Sequence, residues 1–216
     1  MERSLIIGAS GGIGAALLEA TGGVGLSRRD DGLELTDEAG LARLAASLHG
    51  PFDRIIDATG ALEIAGVPPE KALSQIDPAN MARHFAVNAV GTALLIKHFS
   101  GLLPRRGPSV FASLSARVGS IGDNRLGGWI SYRAAKAAQN QIIRTAAIEM
   151  ARKRPEAVLV AIHPGTVRTA LTERYAGSHP TVSPAEAAAN ILNVLDRLGP
   201  ADTGGFFAWD GQAIVW

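Results

Sequence analysis

The sequence contains no cysteine, which excludes a disulfide framework, thiolate catalysis and cysteine-based zinc or iron–sulfur sites, and leaves no signal of redox compartment. It has no excess of charge: 21 basic against 20 acidic side chains leave a formal net charge of +1. No global field therefore favours a polyanion, and nucleic acid is not an expected partner. Long hydrophobic runs are missing as well. The apolar stretch after Met1-Glu2-Arg3-Ser4 stops at Gly8, too short for a signal-peptide core, and no other run approaches a membrane span. The expectation is a cytoplasmic chain with no membrane partner. The five histidines, His49, His84, His98, His163 and His179, show no paired spacing, so no metal site is expected.

The chain has 216 residues, 47% of them hydrophobic before its 25 glycines are counted. That is ample for one buried core and rules out disorder. No repeat and no Pro/Gly/Ser-rich tract divides it, so residues 1–216 read as a single domain. Six short apolar runs, Ser4–Ile7, Val24–Ser27, Arg54–Ala58, Ser109–Leu114, Ala157–Ile162 and Phe206–Trp209, read as strands covered on both faces. Between them, Gly12–Ala20, Glu38–Leu48, Pro78–Leu102, Gly128–Lys153 and Pro184–Leu198 read as helices. Asp77-Pro78 and Ser183-Pro184 each supply a cap residue followed by proline at the first helical position. Alternating strands and helices predict an α/β fold, a Rossmann-type doubly wound parallel sheet with helices on both faces. Ligands in such sheets bind at the carboxyl ends of the strands, where strand order reverses.

Directly after the first strand comes Gly8-Ala9-Ser10-Gly11-Gly12-Ile13-Gly14. Glycines there let the backbone turn tightly and approach a pyrophosphate, and the helix that follows presents free N–H donors. The spacing at positions 8, 12 and 14 differs from the usual dinucleotide fingerprint. The same segment also matches the Gly-x-Ser-x-Gly elbow of α/β-hydrolases, with Ser10 as nucleophile and His163 or His179 as base. Only seven residues precede Gly8, however, leaving no earlier strand and loop to supply an oxyanion donor. The second strand ends in Ser27-Arg28-Arg29, and aspartates follow only at 30 and 31. Arginine there accommodates a 2′-phosphate, whereas a carboxylate would bind a free ribose hydroxyl, which favours NADP(H) over NAD. The competing reading makes Arg28 and Arg29 solvated loop charges paired with Asp30 and Asp31.

Tyr132 and Lys136 lie one turn apart on one face of a predicted helix. An ammonium beside a phenol favours its ionised form and draws its pKa toward the working range, as acid–base catalysis requires. Together with the glycine loop, with Asn88 in Phe85-Ala86-Val87-Asn88, and with His163-Pro164-Gly165-Thr166-Val167-Arg168-Thr169, this pair makes the chain resemble the short-chain dehydrogenase/reductase family over essentially its whole length. Arg117–Ile121, Gly127-Gly128-Trp129 and the ending Gly205–Gly211 are similar to its sniffer/C-factor-like branch of carbonyl reductases.

The resemblance implies NADPH-dependent reduction of a small-molecule carbonyl, reversible as alcohol oxidation, with Tyr132, Lys136, Asn88 and Ser115 catalytic. It implies cofactor contacts from Gly8, Ser10, Gly11, Gly12, Ile13, Gly14, Arg28, Arg29, Thr59, Gly60, Asn88, Tyr132, Lys136, Pro164, Gly165, Val167 and Thr169. It also implies homodimers or homotetramers built on the Pro78–Leu102 and Gly128–Lys153 helices, although monomeric relatives exist.

Two departures stand out. Where the family commonly has Asn-Asn-Ala-Gly, this chain has Asp57-Ala58-Thr59-Gly60, so the centre of the sheet must be stabilised differently. Aligned on Gly119, the family's second serine is Ala116, which leaves Ser115, Ser120 or no serine to polarise the carbonyl. Ala116 keeps open a second function, an NADP-binding signalling protein of C-factor type with incidental turnover. The short stretch from Thr166 to Ser183, with Gly177 and Pro180 marking a turn, is expected to cover an open substrate pocket.

Overall fold

A computed structural model of the chain describes residues 3–169, 175 and 181–216. Six strands, β1 (Ser4–Ile7), β2 (Val24–Leu26), β3 (Arg54–Asp57), β4 (Ser109–Leu114), β5 (Ala157–His163) and β6 (Phe206–Ala208), form one sheet in the order β2-β1-β3-β4-β5-β6. Every pairing is parallel. Among the described residues, seven helices accompany them: α1 (Gly12–Thr21), α2 (Arg28–Asp31), α3 (Glu38–Ser47), α4 (Pro78–Phe85), α5 (Gly91–Phe99), α6 (Ile130–Lys153) and α7 (Pro184–Leu195).

The middles of the strands are apolar on both faces because both faces are covered. Leu5, Ile7, Ile55, Phe111 and Leu159 pack with Leu41 of α3, Leu95 and Phe99 of α5, and Ile143 of α6. Their neighbours Ile6, Ile56, Val110, Val158 and Val160 pack on the other face with Leu17 of α1 and Ala188 and Ile191 of α7. Period-2 alternation thus separates two cores within strands that look uniformly hydrophobic. The chain leaves β1 toward β2 on one side and returns to β3 on the other. The carboxyl ends of β1 and β3 therefore diverge, and the crevice forms there.

Three local departures from the sequence reading shape the site. The predicted helix Pro78–Leu102 is α4, a π-helical turn at Ala86–Val90, α5 and a 3₁₀ turn at Ser100–Leu102. This stretch also reaches the length and hydropathy of a membrane span, at a mean hydropathy of 1.2, contrary to the expectation that no run would. Its apolar residues Leu95 and Phe99 face the sheet, and it buries the polar Asn80, His84 and Asn88, which is the pattern of a core helix. The α6 helix starts at Ile130 rather than Gly128, because Trp129 holds a left-handed φ of 52° and donates its N–H to the Glu70 carbonyl at 2.5 Å. The four-residue α2 was not foreseen; Ser27 caps it by accepting from the Asp30 N–H. Gly177, His179 and Pro180 lie outside the described residues.

Candidate active site

The crevice has two lobes, of about 390 and 210 Å³, together within the range that ligand clefts occupy. Gly11, Ala58, Thr59 and Gly60 line both, so the lobes are continuous across the ends of β1 and β3. Gly8, Ser10, Gly11 and Arg28 line the first lobe with Leu33, Glu34 and Leu35. Gly12, Ile13, Ser115, Ala116, Tyr132, Lys136, His163, Pro164, Gly165, Val167 and Thr169 line the second.

The floor of the first lobe is the turn from β1 into α1. Gly8 sits at φ 90°, a conformation that glycine adopts without strain, and its N–H is held by the Leu26 carbonyl at 2.8 Å. Gly11 caps α1 with extended backbone and, being glycine, brings no capping side chain of its own, and the first amides of a helix are the donors that bind anions. Gly14 lies beneath the turn. A Cβ there would stand 2.2 Å from the Gly8 carbonyl oxygen, so only glycine lets the helix pack this close to the loop. A backbone left bare by glycine, at a helix start whose cap residue is glycine, fits a pyrophosphate.

The structure separates the two arginines. Arg28 opens α2 and faces the first lobe. Arg29 is 81% exposed and its Nε bonds Asp30 at 3.0 Å, so it does not join the residues lining the crevice. The turn capped by Ser27 carries both arginines, Arg28 at the edge of the crevice and Arg29 against Asp30. Ser10 also lines the first lobe, whereas His163 lines the second, a separation that leaves the Ser10–His163 pair of the hydrolase reading unassembled.

In the second lobe, Tyr132 is buried between the ring edges of His84 and Trp129, at centroid distances of 6.0 and 6.4 Å. The Lys136 Nζ stands 5.8 Å from the Tyr132 ring centre and donates to the Gln139 Oε1 at 2.8 Å and the Leu114 carbonyl at 3.2 Å. Burial pushes the Tyr132 hydroxyl well above its ordinary range. Burial also pushes the Lys136 amine down to about 8, with Asp57 pulling it back up. The expected lowering of the tyrosine by its lysine is therefore overturned here: desolvation outweighs the amine, and the phenol keeps its proton at neutral pH.

The π-helical turn explains Asn88. The extra residue in that turn swings its side chain out of the helix, where it accepts from the Ala61 N–H and donates to the Ala61 carbonyl, both at 2.9 Å. This clamp fixes the loop after β3. Gly60 fills the space between the two catalytic candidates, since a Cβ on it would lie 3.2 Å from the Asn88 Oδ1 and 3.3 Å from the Lys136 Nζ. Behind Tyr132, His84 bonds Asn88 through Nδ1 at 3.4 Å. Burial holds the His84 ring below its usual pKa. Glu70, buried beside α6, accepts from the Ser131 hydroxyl and N–H.

The serine question has a geometric answer. Ser115 lines the reactive lobe and donates to the Asn140 Oδ1 at 2.7 Å, while Ser120 is buried and donates to the Val215 carbonyl at the C-terminus. Ser115 is the serine beside Tyr132. Leu33, Glu34 and Leu35 escaped the sequence reading; their apolar–acidic–apolar alternation, two residues buried around one exposed, was the available signal.

The family model for enoyl-(acyl carrier protein) reductases matches residues 32–213. The chain is 30% identical over 187 residues to the 1-hydroxy-2-glutathionyl-2-methyl-3-butene dehydrogenase of Rhodococcus sp. (strain AD45), covering 87% of this chain and 80% of that protein. It is 34% identical over 171 residues to C-signal of Myxococcus xanthus, covering 77% and 94%. Among solved structures, the carbonyl reductase Sniffer of D. melanogaster superposes over the full length of both chains with a TM-score of 0.84 at 20% identity. A short-chain dehydrogenase/reductase of Burkholderia multivorans with bound NADP covers 100% of this chain and 99% of its own, with a TM-score of 0.83 at 25% identity. Matches of this extent, on a chain whose tyrosine and lysine stand over a glycine-floored crevice, establish that it belongs to the short-chain dehydrogenase/reductase family, on its sniffer/C-factor-like branch.

Proposed function

We propose that this oxidoreductase is an NADPH-dependent carbonyl reductase with Tyr132 as proton donor. The observation that carries the reading is the gathering of Tyr132, Lys136 and Ser115 around one lobe of a crevice whose other lobe is floored by Gly8 and Gly11 and edged by Arg28. The bound NADP of the Burkholderia multivorans relative supports the choice of cofactor.

The glycine turn and the first amides of α1 would hold the pyrophosphate, Arg28 the 2′-phosphate, and Pro164, Gly165, Val167 and Thr169 the nicotinamide end. The cofactor, when bound, supplies the hydride. Ser115 would donate a hydrogen bond to the substrate carbonyl and polarise it. Tyr132, a phenol protonated at neutral pH, would give its proton to the oxygen that gains charge. Lys136 would face that tyrosine as an ammonium, and Asn88 would hold the Gly60–Ala61 backbone against both.

Purified protein with NADPH and a panel of aldehydes, ketones and quinones tests the reading. Tyr132→Phe should lose about 10²- to 10⁴-fold in turnover, and equal turnover by variant and wild type removes Tyr132 from its role. A second reading, an NADP-binding signalling protein, draws support from the likeness to C-signal and from Ala116 in the reactive lobe. NADPH binding with no oxidation across the panel would favour it. Self-association is proposed on the groove between α5 and α6, lined by Ala93, Ile96, Ile142 and Met150; sedimentation reads it directly.

A further inference from the structure

A line of buried polar side chains crosses from α6 to the centre of the sheet. The Lys136 Nζ donates to the Gln139 Oε1 at 2.8 Å, the Gln139 Nε2 donates to the Ser113 Oγ at 2.9 Å, and the Ser113 Oγ donates to the Asp57 Oδ2 at 2.6 Å. The four side chains range from 0% to 3% exposed. Each bond runs in the same sense, from a cation at one end to a carboxylate at the other, so their dipoles reinforce one another. The orientation of the Gln139 amide follows from its partners, because a flipped amide would set its N–H groups against the Lys136 ammonium.

Asp57 occupies the position where the family commonly has the first asparagine of Asn-Asn-Ala-Gly. Its carboxylate also accepts from the Thr59 N–H at 3.0 Å, from the Thr59 hydroxyl at 2.5 Å and from the Thr92 hydroxyl at 3.4 Å. All of these donors are neutral. A carboxylate buried this deeply is costly unless a positive charge balances it, and Lys136 is the cation at the other end of its hydrogen-bond chain.

We propose that Asp57 is the buried counter-charge of Lys136, coupled to it through Gln139 and Ser113, and acts as a positioning residue that keeps the amine an ammonium facing Tyr132. This rests on the reading of Tyr132 and Lys136 as the reactive pair. The other titratable or charged groups around the amine come from every packed element. Tyr132 lies one turn back on α6, His84 on α4 stands behind it with Glu70, and His163 ends β5 across the lobe. Arg117, in the turn after β4, is tied to Asp123 at 3.0 Å. None of them enters the chain from Lys136 to Asp57.

The test is a pH titration of the whole protein without nucleotide, following the Cε resonance of Lys136 in [¹³Cε]lysine-labelled material and assigning it by its loss in Lys136→Met. Asp57→Asn keeps the shape and removes the charge. It should lower the Lys136 midpoint by at least about one pH unit, a tenfold loss of proton affinity. Gln139→Met leaves the carboxylate in place and cuts the chain, and should lower the midpoint part of the way. An unmoved midpoint in Asp57→Asn overturns the counter-charge. Should that variant not fold, an unmoved midpoint in Gln139→Met overturns the coupling instead. The pH–rate profile of NADPH-dependent reduction should shift by the same amount. A wild-type protein that titrates as expected but reduces no carbonyl would sink the reductase reading and leave this coupling standing.

Discussion

Alanine substitution at Arg28 and at Arg29 should have sharply different consequences, although the two residues are adjacent and chemically identical. Arg28 opens α2 facing the crevice, whereas Arg29 is spent on Asp30 at the surface. A hydrogen bond to a charged group contributes about 1.5–3 kcal/mol, so loss of the Arg28 contact to a 2′-phosphate should raise the Kd for NADP⁺ by about 10- to 150-fold. The Kd for NAD⁺, which has no such phosphate, should move less than about threefold, because only distant Coulomb attraction is lost. Arg29 lies outside the crevice and is held by Asp30, so Arg29→Ala should change the Kd of either nucleotide by less than about fivefold. Calorimetric titration of the three proteins with both nucleotides at low and high salt separates these outcomes. The wild-type preference for NADP⁺ should narrow with added salt and should be largely gone in Arg28→Ala at either salt concentration. If Arg28→Ala weakens both nucleotides equally, or Arg29→Ala matches it, the place of Arg28 at the crevice is not what selects the phosphate.

Three further outcomes are expected. Gly14→Ala forces a Cβ to 2.2 Å from the Gly8 carbonyl oxygen, an overpacking that should cost about 1–3 kcal/mol in urea denaturation; an unchanged midpoint would mean that α1 does not pack against the loop this closely. His163 is held neutral by burial, which pushes its pKa down to about 4, while the unfolded chain takes up a proton below the ordinary histidine value. Stability should therefore be independent of this ring at high pH and fall by up to about 1.4 kcal/mol per unit as pH drops from the unfolded to the folded value; His163→Asn should flatten that slope, and an equal slope would put the ring in solvent. Reduction of a carbonyl should hold steady through neutral pH and decline above about 8, where Lys136 loses its proton; a rate that rises through that value would mean that the ammonium is not required.

The strands were legible because parallel strands covered on both faces are mostly apolar rather than alternating, and turn residues bound each one. All six expected runs are strands, with differences of one residue at their ends. Helix starts marked by Asp77-Pro78 and Ser183-Pro184 lie where the caps predict, with Asp77 and Ser183 accepting from the amides of the first turn. Composition could not show the π-helical turn at Ala86–Val90. One extra residue in a helix changes no side-chain type, and what holds it open is the clamp between Asn88 and the Ala61 backbone, a contact across 27 residues. The start of α6 escaped for the same kind of reason, since Trp129 accepts a left-handed φ in return for a hydrogen bond to Glu70, far away in the chain.

The gathering of Tyr132, Lys136 and Ser115 around one crevice was legible in the sequence, and their electrostatics was not. Spacing alone puts Tyr132 and Lys136 on one helical face, and from there an ammonium beside a phenol argues for a lowered phenol pKa. Coulomb attraction at about 6 Å and an effective dielectric near 20 amounts to about 3 kcal/mol, about two pKa units. Whether that attraction wins depends on how much water the two groups lose, and this is set by the residues that close over them. Trp129 and His84 pack against the Tyr132 ring, and Gly119 lets the turn after β4 lie so close to Lys136 that a Cβ there would stand 2.9 Å from its backbone. Burial then drives the phenol and the amine toward their neutral forms together. A phenol pushed upward is a weaker acid, so burial opposes the proton transfer that the sequence argument sought to ease. It also creates the need that Asp57 meets, because an amine desolvated this far stays charged at neutral pH only with a carboxylate set within the same dry interior.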